Sequence, residues 1–236
     1  EKVYLPYLTL SGPSAGRVQF FINAGPEYDP YTLHASAETR AWVREHYWRM
    51  IVFPPYFDPH TTWYPAAWAY KGLYAIYSNH GEWDRHEHPE DWFLHDAHGN
   101  RLFNKFDCPD PRPNPNAPCA MWAANIGNAG FRAHWIAEAQ AILAHGYRGL
   151  YLDYVNMTLD EITDRNGNTA SPIDPRTGRP MTLPAWQQYM AEFTEAIRVA
   201  FPDKEIVHTV LWWYGSPAEN SAIARQVRTA DFVAVQ

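Results

Sequence analysis

A chain of 236 residues with 46% apolar content is long enough to bury one large core. Its 19 basic and 26 acidic residues leave a net charge of −7, which excludes the basic footprint of a nucleic-acid binder. No apolar run approaches the ~20 residues that a membrane-spanning helix needs.

The first strand is expected at residues 18–23, an apolar run ended by Ala24-Gly25-Pro26, and a helix at 37–46. Residues 49–53 read as the second strand, stopped by Pro54-Pro55, and 73–77 as the third, stopped by Ser78-Asn79-His80-Gly81. A helix at 131–145 ends at Gly146 and leads into a fourth strand at 149–153. The stretch 158–182, rich in Asp, Gly, Asn and Pro, reads as loop. Trp186, Tyr189, Met190, Phe193 and Ile197 recur at helical spacing within 183–201, and Pro202 stops that helix. Strands five and six are expected at 205–213 and 231–235.

This alternation predicts an α/β fold with a parallel sheet. About six βα steps fit the first three-quarters of an eight-fold (β/α)8 TIM barrel, which needs about 250 residues in full. An open doubly wound sheet would want a glycine-rich phosphate turn after strand one, and Asn23-Ala24-Gly25-Pro26-Glu27 is not one. The expectation is therefore a single barrel domain over 1–236, truncated at its C-terminal side. The start at Glu1 reads as a mature or trimmed product. Cys108 and Cys119 bracket a proline-rich loop and are expected to form a disulfide, which implies a secreted or periplasmic protein.

The stretch 146–157 ends its strand on one carboxylate, Asp153. In a parallel barrel the C-terminal strand ends face the active site, so Asp153 reads as catalytic, against the alternative of a cap for the segment after the strand. The other strand ends offer Asn23, Tyr56, Asp58, His80, Asn156, His208, Trp212 and Gln236 as substrate-binding groups. Amides and imidazoles bond hydroxyls, and aromatics cover the apolar faces of sugar rings; 16% of the chain is aromatic. Glycoside cleavage needs a second carboxyl, for which Asp58 and Glu82 are the available rim residues. Five histidines within 80–98 invite a metal reading, but none forms an HExxH pair, so a packed loop is expected and neither metal nor cofactor.

The run from His88 through Trp92-Phe93-Leu94, Asp96 and Gly99 to Asn100, the strand 149–153, the helix from Trp186 to Pro202 and the segment 230–236 together resemble a family of TIM-barrel glycoside hydrolases distantly related to the polygalactosaminidase group. The resemblance implies a glycosidase of polysaccharides or oligosaccharides in which Asp153 matches the aspartate taken as catalytic. It also implies a glutamate at the end of strand six, where this chain has Gln236. That departure leaves the second carboxylate unassigned. It keeps a non-catalytic carbohydrate-binding barrel as the alternative, with a metal-dependent hydrolase behind it.

Overall fold

The computed structural model describes residues 20–24, 32, 34–54, 62–77, 88–105, 121–210 and 220–235. In chain order the elements are β1 (Phe20–Ala24), α1 (Ala37–His46), β2 (Tyr47–Val52), β3 (Ala67–Gly72), β4 (Ala75–Tyr77), β5 (Phe103–Asn104) and β6 (Met121–Ala123). They continue with α2 (Ala129–Leu143), β7 (Gly149–Asp153), β8 (Ile162–Thr163), α3 (Leu183–Ala200), β9 (Glu205–Val210), α4 (Ser221–Arg228) and β10 (Phe232–Val235). Each helix starts on a side chain that accepts an otherwise orphaned amide: Ser36, Asn128, Thr182 and Asn220.

Six strands form one sheet in the order β1-β2-β3-β7-β9-β10, every neighbouring pair parallel. A doubly wound sheet reverses direction at a switch point. This one adds each strand beside the last, as a barrel wall does. Among the described residues β1 and β10 are not paired with each other, so closure of an eight-fold barrel is not part of what is seen.

Strand side chains alternate between two faces. Met50, Val52, Ala67, Ala69, Leu150, Leu152, Ile206 and Val210 face the helices and join the main core with Trp135, Trp186 and Phe193. Ile51, Trp68, Tyr151, Val207 and Ala234 form a separate apolar layer on the inner face. Gly149 lets β7 and β9 approach: a Cβ there would sit 1.9 Å from the Glu205 carbonyl oxygen, so no other residue fits.

The loops leaving β3 and β7 build a second sheet, order β4-β6-β5-β8, all antiparallel, over the C-terminal end of the parallel strands. This corrects the third strand expected at 73–77. The parallel strand is β3, and the 73–77 run carries β4 of the second sheet. Both segments are buried, and an apolar run alone cannot tell one sheet from the other. The sequence signal of β3 is broken by Lys71, whose amine pairs with Glu138 at 3.0 Å and lies over the Trp135 ring.

The stretch 158–182 is likewise more than loop, holding β8 and the bridges Thr163↔Thr169 and Ile173↔Pro180. Its turn at 164–168 repeats the turn at 96–100. In each, an aspartate (Asp96, Asp164) accepts the amides two and four residues on and the side-chain amide of the closing asparagine (Asn100, Asn168). The glycine between them takes positive φ, +79° at Gly99 and +84° at Gly167. The Asp96 and Gly99 of the family-like motif are thus hairpin chemistry. The short helix α4 has no counterpart among the elements expected from sequence.

Candidate active site

Asp153 is the last residue of β7 and shares the inner face with Tyr151, two residues earlier. Its register partner is Gly72, the last residue of β3, and the next strand, β9, brings Thr209 alongside. Three donors converge on the carboxylate. The Tyr70 hydroxyl donates to Oδ2 at 2.7 Å, and the Tyr154 amide donates to Oδ1 at 2.9 Å. The Thr209 hydroxyl lies 3.0 Å from Oδ1 and 2.8 Å from the Leu152 carbonyl, so its single proton is shared. Among the described residues no cation pairs with Asp153.

The chain turns sharply to make this site. Tyr154 adopts φ +60°, a left-handed conformation that costs a bulky residue of order 1 kcal/mol and that folds its amide back onto the preceding carboxylate. A Cβ at Gly72 would meet the Tyr77 hydroxyl at 3.2 Å and the Tyr154 ring at 3.4 Å, so two more tyrosines crowd the strand end. Burial, then the neighbouring Tyr77, Asp153 and Tyr154, push the Tyr70 hydroxyl far above its ordinary pKa. It therefore stays protonated and donating.

Of the residues expected from sequence, Asp153 occupies the predicted strand end. His208 faces the opposite side of β9: it is fully buried towards α4, where its Nδ1 lies 2.6 Å from the Gln226 amide. Burial lowers its pKa to about 3, so the ring is neutral. Asn156 is buried beside Tyr74, 3.5 Å from its hydroxyl. Asn23 lies on β1, where the backbone alone is described. Tyr56, Asp58, His80, Glu82, Trp212, Gln236, Cys108 and Cys119 lie outside the described residues.

Within 88–98, His88 stacks on Trp92 and His95 pairs with Glu90 at 2.7 Å. Among the described residues no group of three or more His, Cys, Asp or Glu side chains is arranged to hold a metal, and no helix is long and apolar enough to cross a membrane. Sequence reasoning missed Tyr70 and Thr209. The first sat in an unassigned strand and the second one residue from the histidine that drew attention.

At the other end of the same strands sits a second carboxylate. Glu205 opens β9 and accepts from Arg49 Nε and Nη2 at 2.8 and 2.7 Å, from the Trp68 indole at 2.8 Å and from Arg148 at 3.0 Å. Those bonds outweigh the burial that opposes ionisation and hold its carboxyl down at about 2.

The model of a family described as hypothetical glycosyl hydrolase family 15 matches residues 56–222, well over half of the chain. That span contains three of the four stretches that carried the resemblance, the hairpin motif at 88–100, β7 and the Trp186 helix. No curated protein matches the chain in sequence. Among solved structures, an α-galactosidase from Thermus thermophilus determined with stachyose is similar at 12% identity and a TM-score of 0.50, over 93% of this chain and 44% of that one. The glycoside hydrolase domain of PelA from Pseudomonas aeruginosa is similar at 14% identity and a TM-score of 0.46, over 92% of this chain and 65% of that one. This chain therefore spans less than two thirds of either structure. The first likeness carries the fold, an α/β barrel wall of the glycoside hydrolase kind. The family match carries the membership: the chain belongs to hypothetical glycosyl hydrolase family 15.

Proposed function

We propose that this chain is a glycoside hydrolase that cleaves O-glycosidic bonds of a polysaccharide or oligosaccharide, with Asp153 as one of its two catalytic carboxylates. The observation that carries the reading is the way Asp153 is held. It ends a parallel strand on the inner face, and all three of its contacts use it as an acceptor. A carboxylate filled with donors is suited to attack the anomeric carbon or to take a proton from water, not to give one away. The donors are neutral, so its negative charge is left to meet the positive charge that develops on the sugar in the transition state. Tyr77 and Tyr154 at the same strand end supply aromatic surface of the kind that packs on sugar rings.

Gln236 favours a second reading, a barrel that binds glycans without cleaving them, because an amide cannot donate a proton as the carboxylic acid of the relatives would. Incubating the protein with a panel of polysaccharides and measuring new reducing ends separates the two. The hydrolase releases them from at least one substrate. Retention of a polysaccharide with no release after long incubation would reject hydrolysis and leave the binding barrel. We further propose action outside the cytoplasm, supported by the Cys108–Cys119 spacing.

A further inference from the structure

Glycoside cleavage needs a proton donor opposite the first carboxylate, and the three described contacts of Asp153 all use it as an acceptor. The other described carboxyls on the loop that follows β7 differ sharply in their surroundings. Asp164 is consumed by its own hairpin turn, and Asp174 accepts the Arg176 amide at 2.9 Å and the Tyr189 hydroxyl at 2.8 Å. Asp160 is exposed. Glu161 is the exception. Its side chain is only 10% exposed, yet the nearest cation, Lys105 Nζ, stands 3.9 Å away, beyond hydrogen-bond distance. Among the described residues no donor reaches its carboxyl. A nearly buried carboxyl that accepts no hydrogen bond and has only a long ion pair to Lys105 works against folding, which makes it a candidate for chemistry.

Glu161 and Asp153 also share a neighbour. Tyr74 lies just beyond the end of β3, its ring edge-on to Tyr154 at 6.0 Å and its hydroxyl 3.5 Å from the Asn156 side-chain amide. Burial first, and then the charges of Glu161 and Asp153 against the opposing Asn156 bond, hold the Tyr74 hydroxyl well above its ordinary pKa. Tyr74 thus packs on the residue after Asp153, while Ile162, the residue after Glu161, pairs with Asn104 in the sheet that covers this strand end. The two carboxyls differ in kind: Asp153 accepts from a phenol, an amide and a shared hydroxyl, whereas Glu161 accepts no hydrogen bond among the described residues and faces Lys105 at 3.9 Å.

We propose that Glu161 is the second catalytic carboxyl, the acid that protonates the departing glycosidic oxygen; this rests on the glycosidase reading above. Glu161 gives its proton to that oxygen as the C1–O bond breaks and the bonding pair leaves with the oxygen as an alcohol. C1 gains a bond to oxygen, either from Asp153 or from a water whose proton Asp153 takes. In the first path a water then displaces Asp153 from C1 and returns its proton to Glu161. In the second the proton on Asp153 passes through solvent back to Glu161. Either way one water is consumed and two hydroxyl-bearing products leave.

The test is leaving-group dependence, read with polysaccharides and a panel of 2,4-dinitrophenyl glycosides, whose leaving group needs no proton. Glu161→Gln should cut polysaccharide hydrolysis roughly 1,000-fold and dinitrophenyl glycoside hydrolysis less than about 10-fold, with a melting temperature equal to or above that of wild type. Asp153→Asn should lose both activities, and Asp160→Asn should keep both. A wild type that hydrolyses nothing on either panel overturns the glycosidase reading and Glu161's role with it. An active wild type overturns Glu161 alone if E161Q keeps its polysaccharide activity, falls equally on both substrates, or melts several degrees lower, which would mark a structural carboxylate.

Discussion

The two ends of the parallel strands each hold a carboxylate, and they are treated in opposite ways. At the N-terminal end Glu205 accepts from two guanidinium groups and an indole, so its charge is cancelled and tied across β2, β3 and β9. At the C-terminal end Asp153 accepts from a phenol, an amide and a hydroxyl, all neutral. Both are held in place, but only one keeps its charge available. The same barrel wall therefore separates a carboxylate paired with cations from the one proposed to act on a substrate, in keeping with the division of labour between the two faces of such barrels.

The sharpest way to break this comparison is to neutralise each end in turn. Asp153→Asn should lower turnover by 1,000-fold or more, within the roughly 10²–10⁴ range for a positioned acid–base group. Its urea midpoint should stay close to wild type. Glu205→Gln should do the reverse. It leaves Arg49 half-paired in a largely buried site and costs about 3 kcal/mol of unfolding free energy, while activity per folded molecule is kept. Equal losses of stability in the two variants, measured by urea unfolding, would erase the distinction.

Acid should reveal which groups hold the wall together. Glu205 has its folded pKa depressed from 4.5 to about 2, so its contribution is present above pH 4.5 and is lost as pH falls towards 2. His208 is depressed from 6.5 to about 3 by burial, so only the unfolded chain takes up a proton between those values. Stability therefore falls with decreasing pH through that window, by about 1.4 kcal/mol per unit for a single group. Unfolding free energies measured from pH 7 to 3 should flatten between 6.5 and 4.5 in His208→Gln, and should fall less steeply than wild type below 4.5 in Glu205→Gln, where His208, Glu90 and Glu192 still titrate. An unchanged slope in either variant would show that its group is not the one titrating.

Smaller effects should rank the donors on Asp153. Tyr70→Phe removes a 2.7 Å bond to the charged carboxylate and should cost roughly 10-fold in kcat. Thr209→Val should cost less, because the hydroxyl oxygen of Thr209 lies closer to the Leu152 carbonyl, at 2.8 Å, than to Asp153, at 3.0 Å, and shares its proton between them. A larger loss for Thr209→Val would mean that the proton rests on the carboxylate.

How much of this was legible in the sequence depends on the strand. β7 was plain, since a glycine that admits a close neighbour, an apolar run and a terminal aspartate leave little choice. β3 was hidden by Lys71, whose charge is absorbed by Glu138 on α2, a partner that only the tertiary structure brings near. Losing β3 also lost Tyr70. On β9 the question was parity: a shift of one residue exchanges the helix side for the inner side. His208 was the conspicuous residue, while Thr209 was the one beside Asp153. Glu161 lay in a polar stretch read as loop, and burial, its distinguishing property, is not visible in composition.

The most direct test of the central claim is to run the reaction in water enriched in ¹⁸O and weigh the released sugars. A hydrolase that uses Asp153 places one ¹⁸O at each new reducing end, and the Asp153→Asn variant, folded to the same extent, yields no labelled product in the same time. Labelled product at the wild-type rate from that variant, or sugar released without any ¹⁸O, would contradict the account.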